Sequence, residues 1–183
     1  MVGFQKHVMP ISGYDDGMAD GALMTIEEYL HTSYRPDCEY VDGEVQERLW
    51  GEFDHARAMG EILFYLVDRY PGLRRRVLPS LRVRVGPTCV RVPDICVLAE
   101  DAPEEQVPTL PPILCIEILS PEDGMMRFMA KLKDFADMGV PTCWIIDPVA
   151  DRAWIATSGI ITEAADGILR AGDLEMPLTE ILE

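Results

Sequence analysis

The chain of 183 residues is 48% hydrophobic and 26% charged, which fits one globular domain with a sizeable core and excludes general disorder. No apolar run approaches the roughly 20 residues that cross a bilayer, and the first residues lack the apolar stretch of a signal peptide. We therefore expect a cytoplasmic protein with no membrane partner. The net charge of −16 opposes simple non-specific DNA affinity, which depends on Lys and Arg neutralising phosphates.

The five cysteines are odd in number and include no C-x-x-C pair. Four of them lie in or beside apolar runs, so we interpret them as buried free thiols of a reducing compartment. His7, His31 and His55 are isolated from the cysteines in sequence, which disfavours a zinc site. Positive charge is segregated along the chain, since six arginines fall within residues 74–91.

The N-terminal third of the sequence carries three local signals. Residues 1–23 show no hydrophobic periodicity and contain several glycines, so we interpret them as a mobile arm that precedes a single domain over 24–183. A T-x-x-E capping box that starts at Thr25 predicts a short helix to about residue 34. Asp42-Gly43 lies between two short runs and favours a two-residue type I′ hairpin turn.

A longer helix and three strands are predicted next. Apolar residues recur every three or four positions over 52–70 and predict a helix that ends at Pro71-Gly72. The first predicted strand covers 81–85, where apolar residues alternate with arginines. The second covers 90–99 and is interrupted by Pro93-Asp94. The third covers 113–119 and is apolar on both faces apart from one glutamate.

The remaining elements define the fold class. A helix is predicted over 126–138, with Gly139 as its C-cap, and a strand over 142–146. Continuous apolar strands on either side of a helix imply a βαβ crossover and a sheet covered on both faces. Short strands over 153–157 and 160–164, followed by a turn at Asp166-Gly167, complete an α/β pattern.

Two acids lie where burial disfavours them. Glu117 is in the middle of the third predicted strand, where an unpaired carboxylate costs several kcal/mol, and Asp94 poses the same problem on the preceding strand. Because neighbouring strands lie about 4.8 Å apart, the two carboxylates converge if they face the same side. We therefore predict that Asp94 and Glu117 hold Mg²⁺ or Mn²⁺, an ion that activates water and neutralises charge on a phosphoryl group.

Lys131 and Lys133 lie on the helix after the Glu117 strand and are the only lysines after Lys6. A lysine there, such as Lys131, would orient the nucleophile or stabilise the transition state. Each of the three residues also has an ordinary structural interpretation. Asp94 would then be a turn or bulge residue, Glu117 the partner of a strand arginine, and Lys131 a solvated helix residue. We favour the catalytic interpretation because one site explains all three.

Six short motifs occur in a characteristic order over about residues 24–160. They are Tyr40-Val41-Asp42-Gly43-Glu44, Val92-Pro93-Asp94-Ile95, Ile116-Glu117-Ile118-Leu119-Ser120-Pro121, Lys131 with Phe135, Gly139-Val140-Pro141 and Trp144-Ile145-Ile146-Asp147-Pro148. In these motifs the chain resembles the Uma2 family (DUF820), which is placed in the PD-(D/E)XK nuclease superfamily and described as putative restriction endonucleases. The resemblance implies a restriction-endonuclease-like core, a central mixed sheet flanked by helices, with N-terminal helix and hairpin additions. It also implies that Asp94 and Glu117 are metal ligands.

The resemblance further points to Glu44, in the hairpin, and His55, on the first core helix, as second-tier site residues. The usual E-x-K lysine position holds Leu119, so the lysine of the family corresponds to Lys131 on the next helix. Arg127 stands where members place an acid. If that acid serves the site, catalysis is weakened or lost.

These residues lead to three hypotheses about function. The first is a divalent-metal-dependent nuclease that hydrolyses phosphodiester bonds in DNA, with DNA as its partner. The second is a catalytically inactive relative that acts, as a homodimer, as an interaction module for protein or nucleic acid, which the acidic charge and Arg127 favour. The third is a small-molecule phosphohydrolase on the same metal site. Fold alone does not separate them.

Overall fold

The computed structural model describes residues 23–35, 37–48, 52–120 and 124–182. Three α-helices and twelve strands lie within these ranges. In chain order they are α1 (Ile26–His31), β1 (Cys38–Val41), β2 (Glu44–Glu47), α2 (Phe53–Arg69), β3 (Val77–Pro79), β4 (Val83–Gly86), β5 (Cys89–Arg91), β6 (Ile95–Val97), β7 (Leu114–Ile118), α3 (Met125–Met138), β8 (Cys143–Asp147), β9 (Arg152–Thr157), β10 (Ile160–Glu163), β11 (Ile168–Ala171) and β12 (Leu174–Pro177).

A six-stranded mixed sheet, in the order β10-β9-β8-β7-β6-β3, forms the centre of the fold. β7 and β8 are parallel and are joined through α3, which confirms the predicted crossover. The other neighbouring strands of this sheet pair antiparallel. β7 is apolar on both faces because both faces of the sheet are covered.

Different helices cover the two faces of this sheet. Ala58 and Ile62 of α2 pack against one face with the even-numbered apolar residues of β7, and Leu132 and Phe135 of α3 pack against the other face with Cys115. This layering confirms the predicted α/β fold, a central mixed sheet flanked by helices. None of the five cysteines is in a disulfide bond and four are buried, as predicted.

A second, four-stranded antiparallel sheet has the order β2-β1-β5-β4 and contains the predicted hairpin. Asp42 and Gly43 have φ angles of 49° and 94°, the left-handed conformations that a type I′ turn requires. A Cβ atom on Gly43 would lie 2.5 Å from Leu23 Cβ. Glycine is therefore needed at this position for both the backbone conformation and the packing.

Helix α1 begins with the predicted capping box. The Thr25 hydroxyl accepts the Glu28 N–H at 3.2 Å, and the Glu28 carboxylate accepts the Thr25 N–H at 2.8 Å. The helix ends at His31, earlier than predicted, because Thr32 is extended and its hydroxyl donates to the Glu28 carbonyl at 2.6 Å. The long helix and α3 agree with their predictions within one residue at each end, and Gly139 caps α3 with a φ of 99°.

The prediction of one strand over 90–99 is wrong, because this segment forms two strands in different sheets. β5 pairs with β1 and β4, whereas β6 pairs with β3 and β7. The break falls at Pro93, whose nitrogen cannot donate a ladder hydrogen bond. Because the residues on both sides of Pro93 are apolar, the sequence pattern does not show that the chain changes sheets.

Two smaller differences concern short strands. The strand predicted over 81–85 begins at Val83, and the preceding β3 was not predicted; Ser80, with a φ of 49°, separates the two. Beyond the predicted turn at Asp166-Gly167, the chain forms the β11–β12 hairpin, which was also not predicted.

The described residues contain no helix that is long and apolar enough to cross a membrane. Residues 1–22 of the predicted mobile arm lie outside the described residues. The arm, and the single domain over 24–183, therefore stay predictions.

Candidate metal and catalytic site

The two predicted acids meet where β6 and β7 pair. The register places Ile95 opposite Ile116 and Cys96 opposite Cys115, so Asp94, one residue before β6, comes opposite Glu117. Both side chains are buried, with residue exposures of 4% and 5% respectively. The strand break at Pro93 leaves Asp94 in the connection between β5 and β6, directly before the first residue of β6.

Asp94 is held by contacts to both of its carboxylate oxygens. Oδ2 accepts the backbone N–H of Ile118 at 2.9 Å and lies 3.2 Å from His55 Nε2, and Oδ1 accepts from Arg48 Nη2 at 2.5 Å. Burial alone raises the pKa of Asp94, but the hydrogen bond from His55 and the charges of Lys131 and Arg48 outweigh it and hold the pKa below its usual range. Asp94 is therefore ionised.

Glu117 is in the opposite situation. Its Oε2 accepts from Lys131 Nζ at 2.8 Å, whereas its buried Oε1 has no hydrogen-bond partner among the described residues. Burial raises the pKa of Glu117 to about 8; Lys131 opposes this rise, while the nearby charge of Asp94 adds to it. Two adjacent carboxyl groups thus differ strongly in their affinity for a proton.

Lys131 lies on the inner face of α3 and is held by three acceptors. Its Nζ is 2.8 Å from Glu117 Oε2, 2.9 Å from the Val92 carbonyl oxygen and 3.1 Å from Glu39 Oε1. Burial lowers the pKa of Lys131, but Glu117, Glu39 and Asp94 outweigh it and raise the pKa above its usual range. Since an ammonium group has three donors, Lys131 is a fixed positive charge with no N–H to spare.

Glu39, on β1, was not predicted as a site residue. It is 1% exposed, accepts the Val92 N–H at 3.1 Å and pairs with Arg91 Nη1 at 2.8 Å. Burial raises the pKa of Glu39, but Lys131 and Arg91 outweigh burial and lower it. Glu39 has the same sequence signal as Glu117, an acid inside an apolar strand. The family motif in the hairpin pointed to Glu44 instead.

The ion pairs extend outward from Glu39. Arg91, itself 2% exposed, also binds Asp134 of α3 at 2.7 Å. Arg127, at the position where the resemblance places an acid, lies 3.8 Å from Glu39 Oε2. These ion pairs connect the four-stranded sheet to α3, and they thereby help to hold Lys131 of α3 over the central sheet.

The structure also places the two second-tier residues and Leu119. His55 of α2 reaches Asp94, as given above. Glu44 is exposed at the start of β2, and no described contact joins it to Asp94, Glu117 or Lys131. Leu119, at the usual lysine position, packs with the apolar cluster beneath α3. The lysine next to Glu117 therefore comes from α3 and not from the strand.

The residues present fit a divalent cation. Hard oxygen ligands suit Mg²⁺ and Mn²⁺, and the buried Oε1 of Glu117 is such a ligand without a partner among the described residues. Within the described ranges, no group of three His, Cys, Asp or Glu side chains is arranged to hold a metal ion. An ion here would therefore take two protein carboxylates and complete its coordination with water or phosphate oxygens, as Mg²⁺ commonly does.

The mixed sheet, its crossover helix and the acid pair on adjacent strands define a restriction-endonuclease-like α/β protein. Residues 26–173 match the profile of the Uma2 family, described as "Putative restriction endonuclease", and the chain belongs to this family. Together with the fold, this supports a nuclease at a general level.

Several solved chains are similar to this one, and one of them matches over most of both lengths. It is the crystal structure of a putative nuclease belonging to DUF820 from Anabaena variabilis ATCC 29413, with a TM-score of 0.73 and 20% identity, covering 87% of this chain and 97% of that one. At this identity the likeness shows the fold alone. The search of the curated proteins gave no significant match.

Proposed function

We propose that this protein is a nuclease that uses a divalent metal ion, Mg²⁺ or Mn²⁺, to hydrolyse phosphodiester bonds in DNA. One observation carries the proposal: the buried Oε1 of Glu117 has no hydrogen-bond partner among the described residues, although ionised Asp94 lies opposite. An unpaired buried acceptor is costly, and a cation shared by the two carboxylates would satisfy it. Membership of the Uma2 family supports this proposal.

Each residue has a distinct part in the proposed reaction. Asp94 and Glu117 hold the metal ion, and His55 orients the Asp94 carboxylate through Oδ2. A divalent ion held by these residues would act as a Lewis acid and neutralise charge on the phosphoryl group. Lys131 adds a fixed positive charge next to Glu117, but it moves no proton, because its three donors are engaged by Glu117, Glu39 and the Val92 carbonyl.

A second candidate is the hydrolysis of a small phosphate ester at the same site. The net charge of −16 favours it, because an acidic surface repels a polyanionic strand and releases few counterions on binding. The two candidates share the carboxylate pair and differ only in the size of the substrate. A cytoplasmic location and a homodimer stay predictions.

Cleavage assays with matched variants test the proposal. The full chain would be incubated with supercoiled plasmid, single-stranded DNA and bis(p-nitrophenyl) phosphate in Mn²⁺, Mg²⁺ or EDTA. The variants are Asp94→Asn, Glu117→Gln and Lys131→Met. Glu163→Gln is the control, because it makes the same chemical change in an exposed carboxylate that pairs with Arg152.

The proposal predicts that DNA cleavage requires the metal ion. The cleavage rate should fall by at least about 100-fold in the Asp94 and Glu117 variants, as expected for loss of about 3 kcal/mol of transition-state stabilisation. The rate should be unchanged in Glu163→Gln. Cleavage of the small diester without cleavage of either DNA would favour the second candidate. Metal-dependent cleavage that survives both carboxylate substitutions would refute the assignment of the site.

A further inference from the structure

Arg48 occupies the solvent side of the candidate site. It follows directly after β2, and its side chain is 19% exposed. One end of its guanidinium group, Nη2, lies 2.5 Å from Asp94 Oδ1, and the other end, Nη1, donates to Ser80 Oγ at 3.2 Å. The resemblance to the Uma2 family assigned no role to this residue.

The two oxygens of Asp94 have different kinds of partner. Oδ2 is engaged from inside the fold, by the backbone N–H of Ile118 and by His55. Oδ1 is engaged by Arg48, the more exposed group. Of the two side chains that contact the Asp94 carboxylate, Arg48 is therefore the more exposed, at 19% against 13% for His55.

The position of Ser80 keeps Arg48 in this place. Ser80 adopts a φ of 49°, in the left-handed region, and its N–H donates to the Asp94 carbonyl oxygen at 2.9 Å. Its hydroxyl oxygen accepts from the same guanidinium group that binds the Asp94 carboxylate. The backbone around Asp94 thus builds a second acceptor for Arg48.

A metal ion at Oδ1 of Asp94 would meet the positive charge of Arg48 at close range. Lys131 already stands beside Glu117, and Arg48 is close enough to oppose the raised pKa of Lys131 by charge repulsion. A divalent cation between Asp94 and Glu117 would be a third centre of positive charge in a buried space, where repulsion is weakly screened. Arg48 is more exposed than Lys131, with side-chain exposures of 19% and 11%, so it can leave at lower cost.

We propose that Arg48 is the counter-cation of Asp94 in the metal-free protein, and that a divalent ion binds only by displacing the guanidinium group from Oδ1. The inference rests on the proposed function, in which Asp94 and Glu117 hold the ion. Arg48 is accordingly a competitor of the metal ion, and it lowers the affinity of the site for that ion.

Calorimetric titration of Mn²⁺ into the full chain tests this inference without measuring activity. The variants are Arg48→Gln and Arg48→Lys, with Arg152→Gln as the control, because Arg152 pairs with Glu163 at an exposed site on the opposite edge of the central sheet. Removing a charge so close to the ion should tighten Mn²⁺ binding by at least about tenfold in Arg48→Gln. Arg152→Gln should bind as the wild type does, and Arg48→Lys should lie between.

Chemical modification of the wild-type protein gives a second readout that does not depend on a variant. Phenylglyoxal reacts with exposed guanidinium groups, and peptide mass spectrometry locates the product. Mn²⁺ should speed the modification of Arg48 by releasing it from Asp94, and should leave that of Arg152 unchanged. An Arg48 that reacts at the same rate or more slowly in Mn²⁺ contradicts the displacement.

The outcomes separate this inference from the proposed function. If the wild type binds Mn²⁺ and Arg48→Gln binds it equally or more weakly, the competition is refuted and the metal site survives. If only Arg48→Gln binds Mn²⁺, the competition is supported, whereas the proposed function, which needs the ion in the wild type, is refuted. If neither folded protein binds Mn²⁺, both proposals fall.

Discussion

At the scale of single residues, the site is a set of buried charges whose positions depend on one another. Lys131 is shared between Glu117 and Glu39, and Glu39 in turn pairs with Arg91. Breaking a buried ion pair by removing one partner costs far more than removing an exposed pair, because an uncompensated charge is left without water. Glu39 is therefore a positioning residue that keeps the ammonium group of Lys131 beside Glu117.

The first residue-scale prediction concerns Glu39→Gln. The change leaves two buried cations with one anion fewer, so we expect a loss of about 3–5 kcal/mol in the free energy of unfolding. Glu44→Gln, on the same hairpin but exposed, should change it by less than about 0.5 kcal/mol. Urea denaturation of both variants measures the difference, and equal stabilities would show that the Glu39 pairs contribute nothing.

The second residue-scale prediction concerns how Glu117 makes the stability of the protein depend on pH. Its pKa is raised in the folded protein to about 8, so the stability that the neutral carboxyl group contributes is complete below the unfolded pKa, near 4.5, and is lost as the pH rises through 8. Glutamine does not titrate. The melting temperature of Glu117→Gln should therefore exceed that of the wild type, by a margin that grows from pH 6 to pH 9.

Thermal melts in EDTA measure this margin. EDTA is needed because a bound cation would stabilise the ionised carboxylate and reverse the effect. A Gln variant that melts below the wild type at pH 9 would show that the ion pair with Lys131 outweighs the cost of burying Glu117.

At the scale of elements, the site exists because the chain leaves one sheet and enters another. β5 belongs to the hairpin sheet and β6 to the central sheet, and the three residues between them include Pro93 and Asp94. In this connection between the two sheets, the Val92 carbonyl oxygen accepts from Lys131 and the Val92 N–H donates to Glu39. The backbone groups that a continuous strand would have paired with a neighbour are used by site residues instead.

The hairpin turn gives the element-scale prediction. Gly43→Ala places a Cβ 2.5 Å from Leu23 Cβ at a φ of 94°, so we expect destabilisation of about 1–3 kcal/mol. Gly60→Ala is the matched control, because nothing lies within 4 Å of its Cβ on α2, and it should stabilise the protein by up to about 1 kcal/mol. Denaturant titration of both variants would contradict this account if the two changes had the same sign.

The predictable parts of the fold are those with a local cause. The capping box at Thr25, the turn at Asp42-Gly43 and the cap at Gly139 depend on neighbours in sequence, and each is present. The placement of β5 and β6 in separate sheets was missed, because burial makes both look like one apolar strand. Which sheet a short strand joins is decided by packing, which periodicity does not report.

The same division applies to the candidate site. Asp94 and Glu117 stand out because acids are rare in apolar strands, and Lys131 was placed by the family resemblance. Glu39 and Arg48 reach the site from the hairpin sheet. In sequence, Glu39 is 92 positions from Lys131 and Arg48 is 46 positions from Asp94. Only the docking of the two sheets brings them there.

At the scale of the whole molecule, the net charge of −16 conflicts with a polyanionic substrate. The carboxylates far from the site repel DNA over a distance of about 10 Å at 0.1 M salt, so a bound divalent ion and Arg48 are the groups that can attract a phosphate locally. In the proposed displacement, metal binding also releases Arg48 from Asp94, so it should strengthen DNA affinity more than the charge of the ion alone implies.

The whole-molecule prediction is that DNA affinity depends on the metal ion. Fluorescence anisotropy with a labelled single-stranded oligonucleotide, in Ca²⁺ as an ion that limits cleavage, should show at least about tenfold tighter binding than in EDTA. Asp94→Asn should lose this difference, and Glu163→Gln should keep it. Equal affinity in Ca²⁺ and EDTA would favour the small-ester candidate over DNA.

The central claim is that Asp94 and Glu117 together hold one divalent cation. Calorimetric titration of Mn²⁺ at pH 8.5, where Glu117 is more fully ionised, measures it directly in the wild type, Asp94→Asn, Glu117→Gln and Glu163→Gln. The account predicts one ion per chain in the wild type and in Glu163→Gln, with binding lost in the other two variants. Absence of binding by the wild type, or equal binding by Asp94→Asn, would contradict it.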